Sequence, residues 1–186
     1  GHKEPAVSML ARFGSAKGWD LALTAFNDMV KKCGITARLY LVGSISNAVE
    51  ARYVRHLKGV AERMGIERLV NIIINPSIDD VYRILGRSMV FMHVRPNEPF
   101  GLVVVEAMAA GAVPVVHRSG GPWFDIVNMG KYGFGYLSVE EASKALCEIL
   151  TSEKLFTRMS KAAAERAEKF SFANFKCNIK NIITSN

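Results

Sequence analysis

The chain has 186 residues and is 49% hydrophobic, which suits one domain with a proper core and excludes a disordered protein. No apolar run approaches the length of a membrane-spanning helix and no secretory signal is visible. The net charge of +7 invites a nucleic-acid partner, but the Lys and Arg residues are scattered and no basic–aromatic motif interleaves them. No nucleic acid is therefore expected, and phosphate-containing ligands or an anionic membrane surface suit the charge as well. Cys33, Cys147 and Cys177 are far apart, odd in number and without metal-ligand spacing, which points to a reducing compartment. Gly1 and His2 look like a cloning remnant, so the expected domain runs from residue 3 to 186.

The first apolar run, Ala6 to Ala11, predicts a buried strand. After it Gly14 and Gly18 mark a loop, and Trp19 to Val30 has helical spacing through Leu21, Leu23, Ala25, Phe26 and Met29. Arg12 and Lys17 flank that loop. Five donors on Arg12 and a mobile ammonium on Lys17 suit a diphosphate, although taken alone the pair reads as two solvated cations. Arg38 to Gly43 predicts a second strand. An amphipathic helix follows over Val49 to Met64, with Tyr53, Leu57, Val60 and Met64 on its apolar side and His56 at the surface. Val70 to Ile74 is a third strand, and Asn75, Pro76 and Ser77 end it and cap a helix over Ile78 to Leu85.

A fourth strand, Met89 to Val94, leads into the stretch around which the chain is organised, HVRPNEPFGLVVVEAMAAGAVPVVHRSGG. A helix starting near Gly101 would point its first free N–H groups back into the preceding turn, where they can meet an anion. Leu102 to Ala110 gives no clean amphipathic stripe, so this helix should be buried on most sides. Glu106 lies within it, and an unpaired buried charge costs several kcal/mol, so its carboxylate needs a partner or a ligand hydroxyl. Glu98 stands eight positions earlier, in the turn. By spacing alone the two glutamates are a loop charge and a helix charge. A fifth strand, Val113 to Val116, reaches a glycine turn at Ser119, Gly120 and Gly121.

Lys131 to Tyr136 predicts a short strand and Ser138 to Leu150 a helix with Ser138 as cap. Two more helices are expected over Glu153 to Lys169 and Phe172 to Ile183. Phe170, Phe172 and Phe175 suit packing better than a binding platform. Strands alternating with helices at short spacing predict a doubly wound parallel sheet, with a ligand beyond the carboxyl ends of its strands.

The run EPFGLVVVEAMAAGAVPVV followed by SGG resembles the donor-site signature of the retaining glycosyltransferases of family 4, which have the GT-B fold. Within that family the likeness, through NEPFGLVVVEAMAAG and SGGPWFDIV, is to the branch that mannosylates dolichol-linked oligosaccharides. The resemblance covers about Val7 to Phe172 and corresponds to the C-terminal, Rossmann-like half of a GT-B enzyme, so the partner it implies is the protein's own N-terminal acceptor domain. It implies that Arg12 and Lys17 hold the donor diphosphate and that the backbone N–H groups of Phe100, Gly101 and Leu102 meet its distal phosphate and the sugar. Glu98 would contact the sugar hydroxyls, Glu106 the ribose hydroxyls, and Ser119, Gly120 and Gly121 would border the sugar. Ile74 and Asn75 would border the base. The sequence departs from the family pattern at two places beside the sugar. Pro99 replaces the more usual glycine, and three residues separate Gly121 from Asp125 where two are common.

The function so implied is retaining transfer of a hexose, mannose or glucose, from GDP-mannose or a UDP-hexose to a glycan or lipid-linked acceptor. Diphosphate departure would be assisted by cations and helix amides, with no obligatory cofactor and no metal. The implied location is cytoplasmic, with peripheral association at the membrane surface compatible. A nucleotide or sugar-phosphate binding module without transfer, and a doubly wound interaction domain, are the alternatives.

Overall fold

In β1 (Glu4–Arg12), Val7 and Met9 join one apolar cluster while Leu10 joins another, and every residue from Ala6 to Leu10 is buried. A strand with period two and no solvent face belongs in the middle of a covered sheet. The computed structural model describes residues 2–170, 180, 182 and 183. In it β1 is central, and β2 (Arg38–Ser44), β3 (Val70–Ile74), β4 (Ser88–His93), β5 (Val113–His117) and β6 (Phe134–Tyr136) complete an all-parallel sheet in the order β3-β2-β1-β4-β5-β6. This is the doubly wound sheet that the alternation of elements predicts.

Three helices cover one face: α1 (Trp19–Cys33), α2 (Ala48–Met64) and α5 (Val139–Thr151). Their Trp19, Phe26, Leu57 and Leu146 pack on Val7, Leu41 and Met92. The other face carries α3 (Ile78–Arg87) and α4 (Leu102–Ala109), with Leu85, Val104 and Met108 against Leu10, Phe91 and Val116. The last long helix, α6 (Glu153–Ala167), gives Met159 to the first cluster and Ala163 and Ala167 to the second. Residues 180, 182 and 183 are helical, and the rest of the expected helix over Phe172 to Ile183 lies outside the described residues. Elsewhere the expected elements hold to within three residues, except that β6 is confined to Phe134–Tyr136, with 131–133 in the turn before it.

The reading of the cysteines needs correction. Cys33, at the end of α1, and Cys147, on α5, are joined by a disulfide, with Cα atoms 6.1 Å apart. Sequence spacing hid the pair because 114 residues separate the two positions, and it is the packing of α1 on α5 that brings them together. At the opposite end of the sheet from the strands' carboxyl termini, the Lys3 ammonium donates to the carbonyls of Leu85, Ser88 and Ala110, tying the ends of α3 and α4 to the start of β1. His56 is a surface residue, as expected, with Nε2 2.9 Å from the Asp20 carboxylate. Among the described residues no helix is long and apolar enough to cross a membrane.

Helix starts divide into two kinds. Asn47, Ser77, Ser138 and Ser152 each accept a hydrogen bond from a backbone N–H in the first turn of α2, α3, α5 and α6. Gly18 and Gly101, which precede α1 and α4, have no side chain to do so. Both uncapped starts lie at the carboxyl ends of β1 and β4, where the winding of the sheet reverses.

Candidate functional site

A cleft of about 360 Å³ opens between the carboxyl ends of β1 and β4, lined by Arg12, Lys17, His93, Arg95, Glu98, Phe100, Gly101 and Leu102 among others. Its size and its position at the switch point are those of a small-molecule site in a doubly wound sheet. Six of the residues singled out from sequence are thereby brought together.

The β1 side is rigid because its loop is tied at several points. Phe13 stacks on Trp19 with ring centroids 4.5 Å apart, and the Trp19 indole N–H donates to the Arg12 carbonyl. The Arg12 guanidinium donates to the Ser46 hydroxyl at 2.7 Å and to Glu50 at 3.3 Å. The Glu50 carboxyl is itself held below its ordinary range, first by the Ser46 backbone N–H at 2.6 Å and then by the Ser46 hydroxyl and Arg12. Arg12 is therefore aimed by an anchored carboxylate.

Across the cleft, Arg95 pairs with Glu98 at 3.4 Å. The Lys17 ammonium is pulled below its ordinary pKa by burial, then by the positive charges of Arg95 and Arg12, while Glu98 opposes them. Three cations thus face a cleft that holds one carboxylate, and the uncapped N–H groups at the start of α4 add a partial positive charge. The electrostatics favour an anion.

Ser119, Gly120 and Gly121 do not line the cleft; they hold the loop that does. The Ser119 hydroxyl accepts from the Asn97 N–H at 2.8 Å, and the Gly121 N–H donates to the Glu98 carbonyl at 2.8 Å. Gly120 has φ +63, and a Cβ there would lie 2.4 Å from the Glu98 carbonyl oxygen; one at Gly121 would lie 2.2 Å from that of Pro99. The close approach that requires glycine is to the backbone around Glu98. Gly101 follows the same logic: at φ +66, a Cβ would meet Pro122 Cγ at 2.5 Å.

Glu106 lies on α4, outside the cleft lining and 3% exposed, with both carboxylate oxygens buried and without a hydrogen-bond partner among the described residues. Burial pushes its carboxyl up to about 8. Ile74 and Asn75 are on the same rim, at the end of β3, yet outside the cleft lining. Ile74 is exposed, and the Asn75 side-chain oxygen accepts from the Ile45 N–H at 3.0 Å, bracing the neighbouring loop.

Three lining residues escape a reading of the sequence. His93 and Arg95 sit at the end of the apolar run MVFMHVR, where the logic applied to Arg12, a polar side chain just past a buried strand, would have found them. Ile182 also lines the cleft, and the Ser44 hydroxyl at the end of β2 donates to its carbonyl at 2.8 Å. Nothing in the local sequence signals that contact.

The family described as glycosyl transferases group 1 matches residues 1–166. The chain is 30% identical over 181 residues to the GDP-Man:Man(3)GlcNAc(2)-PP-Dol alpha-1,2-mannosyltransferase of Dictyostelium discoideum, covering 94% of this chain and 36% of that protein. To the Homo sapiens protein of the same name it is 30% identical over 175 residues, covering 90% and 36%. Its backbone is similar to that of HepE from Anabaena, crystallised with UDP and glucose, with a TM-score of 0.80 at 22% identity over 99% of this chain and 49% of that one. The C-terminal domain of a glycosyl transferase group 1 family protein (LpcC) from Francisella tularensis is also similar, with a TM-score of 0.78 at 16% identity over 90% and 86%. The chain spans little more than a third of the length of these curated relatives.

Proposed function

The chain belongs to the glycosyl transferases group 1 family, with the fold of the C-terminal half of a GT-B enzyme, and we propose that it is the half of a retaining mannosyltransferase that binds the nucleotide-sugar donor. The observation that carries this reading is the cleft at the β1/β4 switch point, where Arg12, Lys17, Arg95 and the uncapped start of α4 converge on space for one anion. A nucleoside diphosphate supplies that anion, and GDP-mannose is the donor that the relatives' names favour.

In this reading Arg12 and Lys17 neutralise the diphosphate, and the N–H groups of Phe100, Gly101 and Leu102 meet its distal phosphate. As the bond from the anomeric carbon to the diphosphate oxygen breaks, these groups take up the negative charge that develops on the leaving group. Glu98 accepts hydrogen bonds from sugar hydroxyls and orients the anomeric carbon. Glu106, buried without a protein partner, accepts from the ribose hydroxyls, and Ile74 and Asn75 border the base. Ser119, Gly120 and Gly121 act by fixing the Glu98 loop. The acceptor, a lipid-linked glycan, would be bound by an N-terminal domain of the same protein.

Calorimetric titration of the chain with GDP, UDP and ADP, repeated on Arg12→Ala, tests the reading. Saturable binding of one nucleotide, weakened at least tenfold by the substitution, is expected for loss of a charge-assisted pair. Binding that ignores Arg12, or no binding by the folded chain or by a longer chain carrying the N-terminal half, would refute it.

A further inference from the structure

We propose that His93 recognises the transferred sugar, its imidazole hydrogen-bonding a hydroxyl of the hexose at the floor of the cleft. The inference rests on the donor-site reading and deepens it by naming a residue that selects sugar rather than phosphate.

His93 is the last residue of β4, so it stands at the switch point itself, and it lines the cleft beside Arg12, Lys17 and Glu98. The residue is 9% exposed, and its Nδ1 is buried without any hydrogen-bond partner. Its backbone is fixed, because the Tyr136 hydroxyl donates to the His93 carbonyl at 3.1 Å and Tyr136 packs edge-on against His117. The ring therefore has a set position, and within the protein it leaves hydrogen-bonding capacity unused. A leucine or methionine at the end of this strand would be free of that cost and would continue the apolar run Met89, Val90, Phe91 and Met92.

Charge decides what the ring can bind. Burial first, then Arg95 and His117, hold the imidazole down to about 4, so it is neutral at physiological pH. A neutral ring adds nothing to the three cations that face the diphosphate, but it can donate from one nitrogen and accept at the other. Sugar hydroxyls, which both donate and accept, match that chemistry. The diphosphate is already met by Arg12, Lys17 and the start of α4, so the group still needing partners in this cleft is the sugar.

The test compares GDP with GDP-mannose, or UDP with UDP-glucose should the wild-type chain prefer uridine, on wild type, His93→Leu and His93→Gln by calorimetry. Losing one hydrogen bond should lower the preference for the nucleotide sugar over the bare diphosphate by about tenfold in His93→Leu, while binding of the diphosphate is unchanged. His93→Gln, which keeps a donor and an acceptor, should retain most of the preference. An unchanged preference in His93→Leu overturns the assignment, and so do equal losses for both ligands, which would make His93 a packing residue. If His93→Leu does not fold, His93→Asn, polar but shorter, replaces it in the same comparison. A wild-type chain that binds neither ligand would instead overturn the donor site itself.

Discussion

Glu106→Gln should make the protein more stable and a poorer nucleotide binder, and the stabilisation should grow with pH. The carboxyl is buried, has no protein partner, and is raised to about 8 from an ordinary 4.5. Between those values the native state keeps a proton that the unfolded chain releases, so native stability falls as pH rises through the window. A tenfold change in a protonation equilibrium is worth about 1.4 kcal/mol, so the burden of the ionised group is under ~1 kcal/mol at pH 5 and on the order of 5 kcal/mol by pH 9. Glutamine has the same shape and no charge. Urea unfolding of both proteins at pH 5, 7 and 9 should therefore give nearly equal stabilities at pH 5 and a widening advantage for the variant above it. Other titrations, such as that of His93, act on both proteins and cancel in the difference. Donor affinity measured at pH 9, where the carboxyl is ionised, should move the other way, falling by tenfold or more as hydroxyl bonds to a carboxylate are lost. A stability difference that does not vary with pH would refute the account of Glu106 as an unpartnered buried acid, and unchanged affinity would refute its role toward ribose.

Gly101→Ala should cost about 2 kcal/mol or more, from the left-handed backbone and the contact with Pro122, and should weaken nucleotide binding by displacing the start of α4; a change under ~0.5 kcal/mol in urea unfolding would refute this. Lys3→Met leaves three carbonyls without their shared donor and should cost ~1–3 kcal/mol by the same measurement, with nucleotide affinity unchanged because Lys3 is at the far end of the sheet. Reducing the Cys33–Cys147 bond releases a long loop, for which the chain-entropy model gives ~4–5 kcal/mol. Thiol titration in denaturant should find one of the three cysteines before reduction and all three after it, and three from the outset would refute the pairing.

The order of elements was legible because the strands are apolar runs, buried on both faces at the centre of the sheet, and most helices begin at a Ser or Asn that caps them. Val7, Met9 and Leu10 fall on two faces by simple alternation, and Ser77 and Ser138 mark helix starts by residue type alone. The core of the candidate site was legible for a related reason: a helix that opens at Gly101, with no capping side chain and a glutamate inside an apolar stretch, breaks the rules that α2, α3, α5 and α6 keep. What stayed hidden is what only packing creates. Cys33 and Cys147 meet because α1 lies on α5, and the glycine pair's demand for space comes from the backbone of Glu98 and Pro99, some twenty residues back along the chain. The unpartnered nitrogen of His93 is visible only once its neighbours are placed.

The exceptions to good packing are not spread evenly through this molecule. Of the buried side-chain atoms without partners among the described residues, Asn27 and Asn71 contribute one amide atom each, while Glu106 and His93 are ionisable: His93 lines the cleft at the end of β4, and Glu106 lies on α4, whose first residues line it. The cations Arg12, Lys17 and Arg95 and the uncapped start of α4 line one cleft. Each feature taken singly destabilises the empty protein. A single ligand carrying a diphosphate between two hydroxyl-bearing sugars would satisfy them together: anion for the cations and the helix start, one set of hydroxyls for Glu106, the other for Glu98 and His93. A merely structural domain has no reason to gather three cations and an uncapped helix start around one opening and to leave His93 and Glu106, on the adjoining β4 and α4, without hydrogen-bond partners among the described residues; that combination argues for a nucleotide sugar over a simple phosphate.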